Sequence, residues 1–388
     1  MTGIANVRDY GAHGDGLRDD WAAIQAALDG GAGEVFIPQG VYCVSRTLRV
    51  SSNTTIWADR TAKIVMRGGA RKRRGDFLLS NADPDAGNAD IAIIGGIWDG
   101  DNQAPENAKP DIFDEDGFSG VLLNFFNVDG LVLRDMTLAN SVTYYARMSR
   151  LRRFEIENID FVSDRFGWNQ DGLHFGGECR QGLVRNIRAL SRGQTNDDLI
   201  ALNADDCLTR VENRDIVCGP IEDITFENIS AESCHTIVRL LSVASPIRRI
   251  RFENVCAGYR CYAVNADAAR YCRTPLFREE DRPHGVGLIE DVRFERFTCW
   301  RAPMPPQYAG SGVTSCPVIP AIQIESCANA FQMRGFRLIG ELPENIPALQ
   351  LRHVENQAVL ADGARFEART KDDTVNVRAF SELRVDRL

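Results

Sequence analysis

Two short segments of this 388-residue chain carry carboxylates in a pattern that could move protons. The first is Asn169-Gln170-Asp171-Gly172-Leu173-His174, and the second is Thr195-Asn196-Asp197-Asp198. Carboxylates gathered in one site cannot all ionise at their free values, because like charges push one pKa upward. The result is a protonated acid beside an ionised base, which is what breaking a glycosidic bond requires. A gap between them wide enough for water gives inversion of configuration. The alternative without chemistry is a set of turn carboxylates that accept backbone N–H bonds, with or without a bound Ca²⁺. Asp205 and Asp206 fit that description better than Asp171, Asp197 and Asp198 do.

Aromatic residues flank the first segment. Tyr144 and Tyr145 lie one strand earlier, and Trp168 immediately precedes Asn169. Aromatic faces can stack on the apolar faces of sugar rings, although an aromatic in a repeat protein also serves as core. Tyr262 and Arg260 are further groove candidates. His174, two residues beyond Gly172, and His235 compete for a place beside the carboxylates.

The elements that must position these groups come from a repeat, apolar-x-apolar-x-Asn-apolar. It reads Phe154-Glu155-Ile156-Glu157-Asn158-Ile159, Ile224-Thr225-Phe226-Glu227-Asn228-Ile229 and Ile250-Arg251-Phe252-Glu253-Asn254-Val255, with weaker copies ending at Met136, Ile187, Phe297 and Phe336. The alternation has period two, so each copy is a short strand with one buried face. The second apolar position falls at 133, 156, 184, 226, 252 and 294, so the steps are 23, 28, 42, 26 and 42 residues. Short steps suit one solenoid coil, and long ones need an extra coil or a loop excursion. Stacked coils give every strand two neighbours and a continuous core. Asn158, Asn186, Asn228 and Asn254 recur at one position and can form a side-chain ladder. Asp171 lies 15 residues past Ile156 and Asp198 lies 14 past Val184, so the two should stack on adjacent coils with Asp197 beside them.

The expected fold is therefore all-β, a right-handed parallel β-helix (solenoid) with a short N-terminal capping helix. Residues 1–388 form one domain, with a cap at about 6–30, coils at about 35–388 and a loop excursion at 265–287. The helix reads from Asp19 or Asp20, either of which is its N-cap, to Gly30-Gly31, and Val35-Phe36-Ile37-Pro38 starts the first strand. The stretch from Pro347 onward reads as final, smaller coils. The segment 265–287, or the acidic segment 99–118, could close one end of a groove and favour exo action.

Composition narrows the partners. A net charge of -9 argues against nucleic acid or an anionic membrane. No run reaches the roughly 18 apolar residues of a membrane helix. The eleven cysteines are spread singly without zinc-ligand spacing and read mostly as reduced core residues, with one or two surface disulfides as the minor alternative. Free thiols favour a cytoplasmic location, and a removed leader would instead mean secretion or the periplasm. No signal segment is visible at the N-terminus. A monomer or weak homo-oligomer is expected.

The motifs also resemble a known family. Asp9-Tyr10-Gly11-Ala12-His13-Gly14-Asp15-Gly16, followed by Asp19-Asp20 and an Ala-rich helix, is similar to the N-terminal cap of pectate-lyase-superfamily β-helices. Asn169-Gln170-Asp171 and Asp197-Asp198 look like the carboxylate motifs of polygalacturonase-like (family 28-like) glycoside hydrolases. The resemblance runs from about residue 6 to about 340. It implies Asp197 as general acid, Asp171 and Asp198 holding the attacking water, and Asn169 orienting the carboxylates or the sugar. The family's Gly-His-Gly motif is replaced by Ser233-Cys234-His235-Thr236. Its Arg-x-Lys motif is half kept in Val238-Arg239-Leu240-Leu241, where Leu241 stands in place of the lysine. Arg239 can still grip a carboxylate or sugar hydroxyls, but the lost charge favours a neutral or differently substituted sugar.

The expected function is cleavage of a poly- or oligosaccharide, plant cell-wall or pectin-related, by inverting acid/base hydrolysis with no cofactor or metal. A lyase or epimerase on the same scaffold, with Ca²⁺, is the first alternative. A non-catalytic carbohydrate-binding or tail-fibre-type β-helix is the second.

Overall fold

A computed structural model describes residues 3–67, 75–104, 107, 118–205, 216–266, 287–303, 305, 319–325, 328–329, 331–352, 357–361, 364–368 and 374–378. The chain winds into stacked coils whose strands pair in parallel. Leu123–Ala139, Ala146–Val162, Cys179–Ala189, Ile221–Leu241, Ile247–Ala266 and Ile289–Arg301 lie side by side in that order. Leu133, Ile156, Val184, Phe226, Phe252, Phe294 and Met333 are successive partners across them. The two 42-residue steps are thus single coils with excursions, because Val184 pairs directly with Phe226 and Phe252 with Phe294. Most of the 265–287 excursion and of the 99–118 segment lies outside the described residues.

Each long strand turns corners at residues in the left-handed region. Asp135, Asn158, Asn186, Asn228, Asn254 and Arg296 all have φ between 53° and 58°. Short polar side chains tolerate this conformation because they can bond locally. Here they also bond to each other. Asn186 Nδ2 donates to Asn158 Oδ1 at 2.8 Å, Asn228 to Asn186 at 2.9 Å and Asn254 to Asn228 at 3.1 Å, while Asn158 donates to Asp135 at 2.6 Å. Inside, Phe226 stacks on Phe252 with centroids 4.6 Å apart, and Phe252 on Phe294 at 4.8 Å.

A helix, Trp21–Asp29, buries Ile24, Ala27 and Leu28 in the core beside the first coils. Asp20 occupies its N-cap position without a side-chain cap bond, and its carboxylate instead accepts from the His13 and Gly14 amides. Asp19 accepts from the Trp21 amide. The first strand is Ala5–Asn6, earlier than expected, and it pairs with Val35 and Phe36 of Glu34–Ile37. The C-terminal stretch departs from simple coils. Leu349–Arg352 still stacks in parallel on Ile322–Ile324, but Thr374–Val377 pairs with it antiparallel, and Gln357–Ala361 with Ala364–Ala368 likewise. The change of direction gives the last parallel strand a partner, which leaves fewer unpaired edge groups.

The cysteines only partly follow the sequence reading. Cys43, Cys179, Cys234, Cys256 and Cys299 are free, and all but Cys256 are buried. Cys218 and Cys261 are disulfide-bonded, although Cys261 is itself buried.

Candidate active site

One face of the parallel sheet collects the chemistry. Ala146, Leu173, Ile200, Val238, Val264 and Ile322 form a buried row across the coils. The next position along the strands reads Arg147, His174, Ala201, Arg239, Asn265 and Gln323, polar at every coil but that of Ala201. Because side chains alternate across a strand, this second row points away from the core.

The carboxylates sit at the upstream end of these strands. The Gly172 amide donates to Asp198 O at 2.9 Å, and Leu173 pairs with Ile200, so Asp171 and Asp198 occupy the same level of adjacent coils. On the following coils Thr236 and then Tyr262 continue the row from Asp198. The equal sequence offsets thus correspond to stacked positions. Asp205 is a turn residue: one carboxylate oxygen accepts from the Val243, Ala244 and Ser245 amides. Asp206 lies outside the described residues.

Asp171 is buried, and its Oδ2 lies 2.7 Å from His174 Nδ1. Burial pushes its carboxyl well above the usual carboxylate range. The negative charge of Asp197 adds to the shift, the bond to His174 opposes it, and Asp198 contributes in the upward direction. Tyr144 stacks on the His174 ring with centroids 4.5 Å apart. On the neighbouring coils, His235 Nδ1 is 3.6 Å from Asp197 Oδ1, and Arg239 Nη1 is 3.5 Å from Asp198 Oδ2. Burial pushes the His235 imidazole down to about 4, against the pull of Asp198 and with help from Arg260 and Arg239. Near neutral pH it is therefore uncharged.

Both histidines lie against the carboxylates, His174 on Asp171 and His235 on Asp197. Asp197, with 26% of its side chain exposed, opens more to solvent than Asp198 at 4%. Asp197, Asp198 and His235 each bring one ligand atom to within 4.8 Å of the others, a set able to hold a divalent cation.

The flanking residues separate. Tyr144 reaches the site, but Tyr145 is core. Its ring packs on Phe161, and its hydroxyl donates to Val162 O and contacts Gln194. Just before the strand Ala146–Val162 the chain turns the Tyr144 ring to His174 and the Tyr145 ring into the core. Trp168 is exposed rather than core. Asn169 is a half-buried corner residue with φ 56°. Tyr262 is half-buried, whereas Arg260 is buried and cannot line a groove. Sequence reading passed over Arg147, whose Nε donates to Asn124 Oδ1 at 2.8 Å, and Asn196, whose Nδ2 donates to Gly167 O at 2.8 Å. The alternation that places His174 outward also places Arg147 outward, and that was the available signal.

Comparison with known proteins bears on the frame of this site. Residues 4–96 match the family described as "Rhamnogalacturonase A/epimerase, pectate lyase-like". The family 28 exopolygalacturonase of Yersinia enterocolitica superposes with a TM-score of 0.55 over 92% of this chain and 78% of that one, at 16% identity. The fold is a pectate-lyase-like parallel β-helix. Two sequence relatives share shorter stretches with this β-helix. The pre-neck appendage protein of Bacillus phage phi29 is 33% identical over 98 residues, 25% of this chain and 11% of that protein. Mannuronan C5-epimerase AlgE5 of Azotobacter vinelandii is 57% identical over 44 residues, 10% of this chain and 4% of that enzyme. The family match ends upstream of Asp171, so it speaks for the β-helix and not for the carboxylate centre.

Proposed function

We propose that the chain is a right-handed β-helical glycoside hydrolase that cleaves a glycosidic bond of a poly- or oligosaccharide, pectin-related or similar, with inversion. One observation carries this reading: Asp171, Asp197 and Asp198 meet on adjacent coils, beside a polar row that runs across the sheet. The right-handed sense follows from the strong preference of parallel crossovers. Asp197, more open to solvent than its neighbour Asp198, is the general acid that protonates the leaving oxygen. Asp171 and Asp198 hold the attacking water, and Asp198, whose carboxylate faces Arg239, accepts the proton the water loses. Neutral His235, with Nδ1 3.6 Å from Asp197 Oδ1, lies beside the acid without adding charge. Arg239 and His174 orient the sugar, and the exposed Trp168 ring offers a stacking platform. The chain works as one domain with the helix Trp21–Asp29 as its cap, as a monomer or weak homo-oligomer, and without an obligatory cofactor.

A lyase or epimerase is the second reading. It is favoured by the cation-competent set Asp197, Asp198 and His235, and by the stacked Tyr144–His174 pair beside Asp171. Both reactions abstract a proton next to a carboxylate, for which a cation or Arg239 would neutralise charge.

A screen of plant and microbial polysaccharides and oligosaccharides, read for reducing ends and for ultraviolet absorbance, separates these readings. Hydrolysis gives reducing ends without absorbance, insensitive to chelator. Asp197→Asn is expected to lower turnover by at least about 100-fold with circular dichroism and melting temperature kept. Near-normal turnover in that variant would overturn the role of Asp197. Absorbance that disappears with chelator would give the site to a lyase. Binding without any turnover would leave a carbohydrate-binding β-helix.

A further inference from the structure

We propose that Arg260 is a positioning residue of the carboxylate centre, a buried guanidinium clamp that fixes the segments presenting Asp197 and His235 to each other. This rests on the reading of that centre given above. Arg260 lies on the strand Ile247–Ala266 with its side chain buried. Its Nη1 donates to Gly193 O at 2.9 Å and to Ser233 O at 2.5 Å, and its Nη2 donates to Asn196 Oδ1 at 2.6 Å. The guanidinium carbon stands 5.1 Å from the centroid of the Phe166 ring.

These contacts fall on three segments at once, two of them loops and the third the strand Ile221–Leu241. Gly193 and Asn196 lead directly into Asp197. Ser233 lies two residues before His235. Phe166 precedes Gly167, whose carbonyl accepts from Asn196 Nδ2. The loop before Asp197 and the strand carrying His235 are also joined directly, since the His235 amide donates to Thr195 O at 2.9 Å. A single cation therefore ties together the chain on either side of the 3.6 Å contact between Asp197 and His235.

The side chain has to be arginine for this. A guanidinium offers several donors in one plane and an apolar face for an aromatic ring, whereas an ammonium is a compact point charge. The clamp thus acts on the site through geometry, without touching substrate.

The test compares Arg260→Lys, Arg260→Met and the milder Asn196→Ala, each first shown to be folded by circular dichroism and melting temperature. With five histidines in the chain, the His235 imidazole signal can be assigned in NMR spectra by its loss in His235→Gln. Arg260→Met is expected to shift the position of the His235 imidazole signal. Arg260→Lys keeps the charge and should move it less. All three variants should speed amide exchange at Thr195–Asp198. On any saccharide the wild type cleaves, Arg260→Met should lower kcat about 100-fold with KM little changed, the usual scale for a misplaced catalytic group. Folded variants with an unchanged His235 signal and unchanged exchange at Thr195–Asp198 would overturn the proposal. If the wild type cleaves nothing, hydrolysis fails on its own, and the NMR measurements still decide whether Arg260 is a clamp.

Discussion

Asp171 is the residue on which site chemistry and fold stability oppose each other. Its Oδ2 bonds to His174, while its buried Oδ1 has no hydrogen-bond partner among the described residues. Burial raises its pKa, so the folded chain prefers the neutral acid. For a carboxyl raised on folding, the stabilising contribution is complete below the unfolded value of about 3.9 and is lost as pH rises through the folded value. Asp171→Asn stays neutral at every pH. It is expected to raise the melting temperature at pH 8 by more than at pH 4, while losing activity. An equal shift at both pH values would show that Asp171 ionises freely in the fold. The sequence made this residue legible through its offset from Ile156, matched by Asp198 on the next coil. It did not make Arg260 legible, because the acceptors at Gly193, Asn196 and Ser233 converge only once three coils are stacked. Tyr145 was misjudged for a simpler reason: its neighbour Tyr144 already held the outward position.

The coil is held at its corners by the asparagine ladder, and this is the element most plainly written in the chain. Asn228 donates to Asn186, accepts from Asn254 and has φ 57°. Asn228→Ala loses both bonds and keeps a Cβ in the left-handed region, so a cost of about 1–2 kcal/mol is expected by urea denaturation. Asn228→Gly loses the same bonds without that strain and should cost about 1 kcal/mol less. If alanine is tolerated as well as glycine, the corner is not held in the left-handed conformation. The repeating Asn could be read because every coil needs the same corner. The length of each excursion could not, since the strand pairing is the same whether 23 or 42 residues intervene. The antiparallel pairs at the C-terminal end were missed because short alternating strands look alike in either direction.

At the scale of the whole molecule, a solenoid is stabilised by contacts between adjacent coils. The stacked Phe226, Phe252 and Phe294 rings and the parallel ladders supply them continuously beneath the carboxylate centre. That frame brings Asp171, Asp198 and Arg239 onto successive strands although they are far apart in the chain. The same frame serves proteins as different as a polygalacturonase and a phage appendage protein, so the reaction has to be established at the site itself. The most direct measurement follows the first products by proton NMR while the wild type acts on a saccharide found in the screen. Inverting hydrolysis should release a reducing sugar whose anomeric configuration is inverted before mutarotation. A product with retained configuration, an unsaturated ring, or an epimerised but uncleaved chain would contradict inverting hydrolysis at Asp171, Asp197 and Asp198.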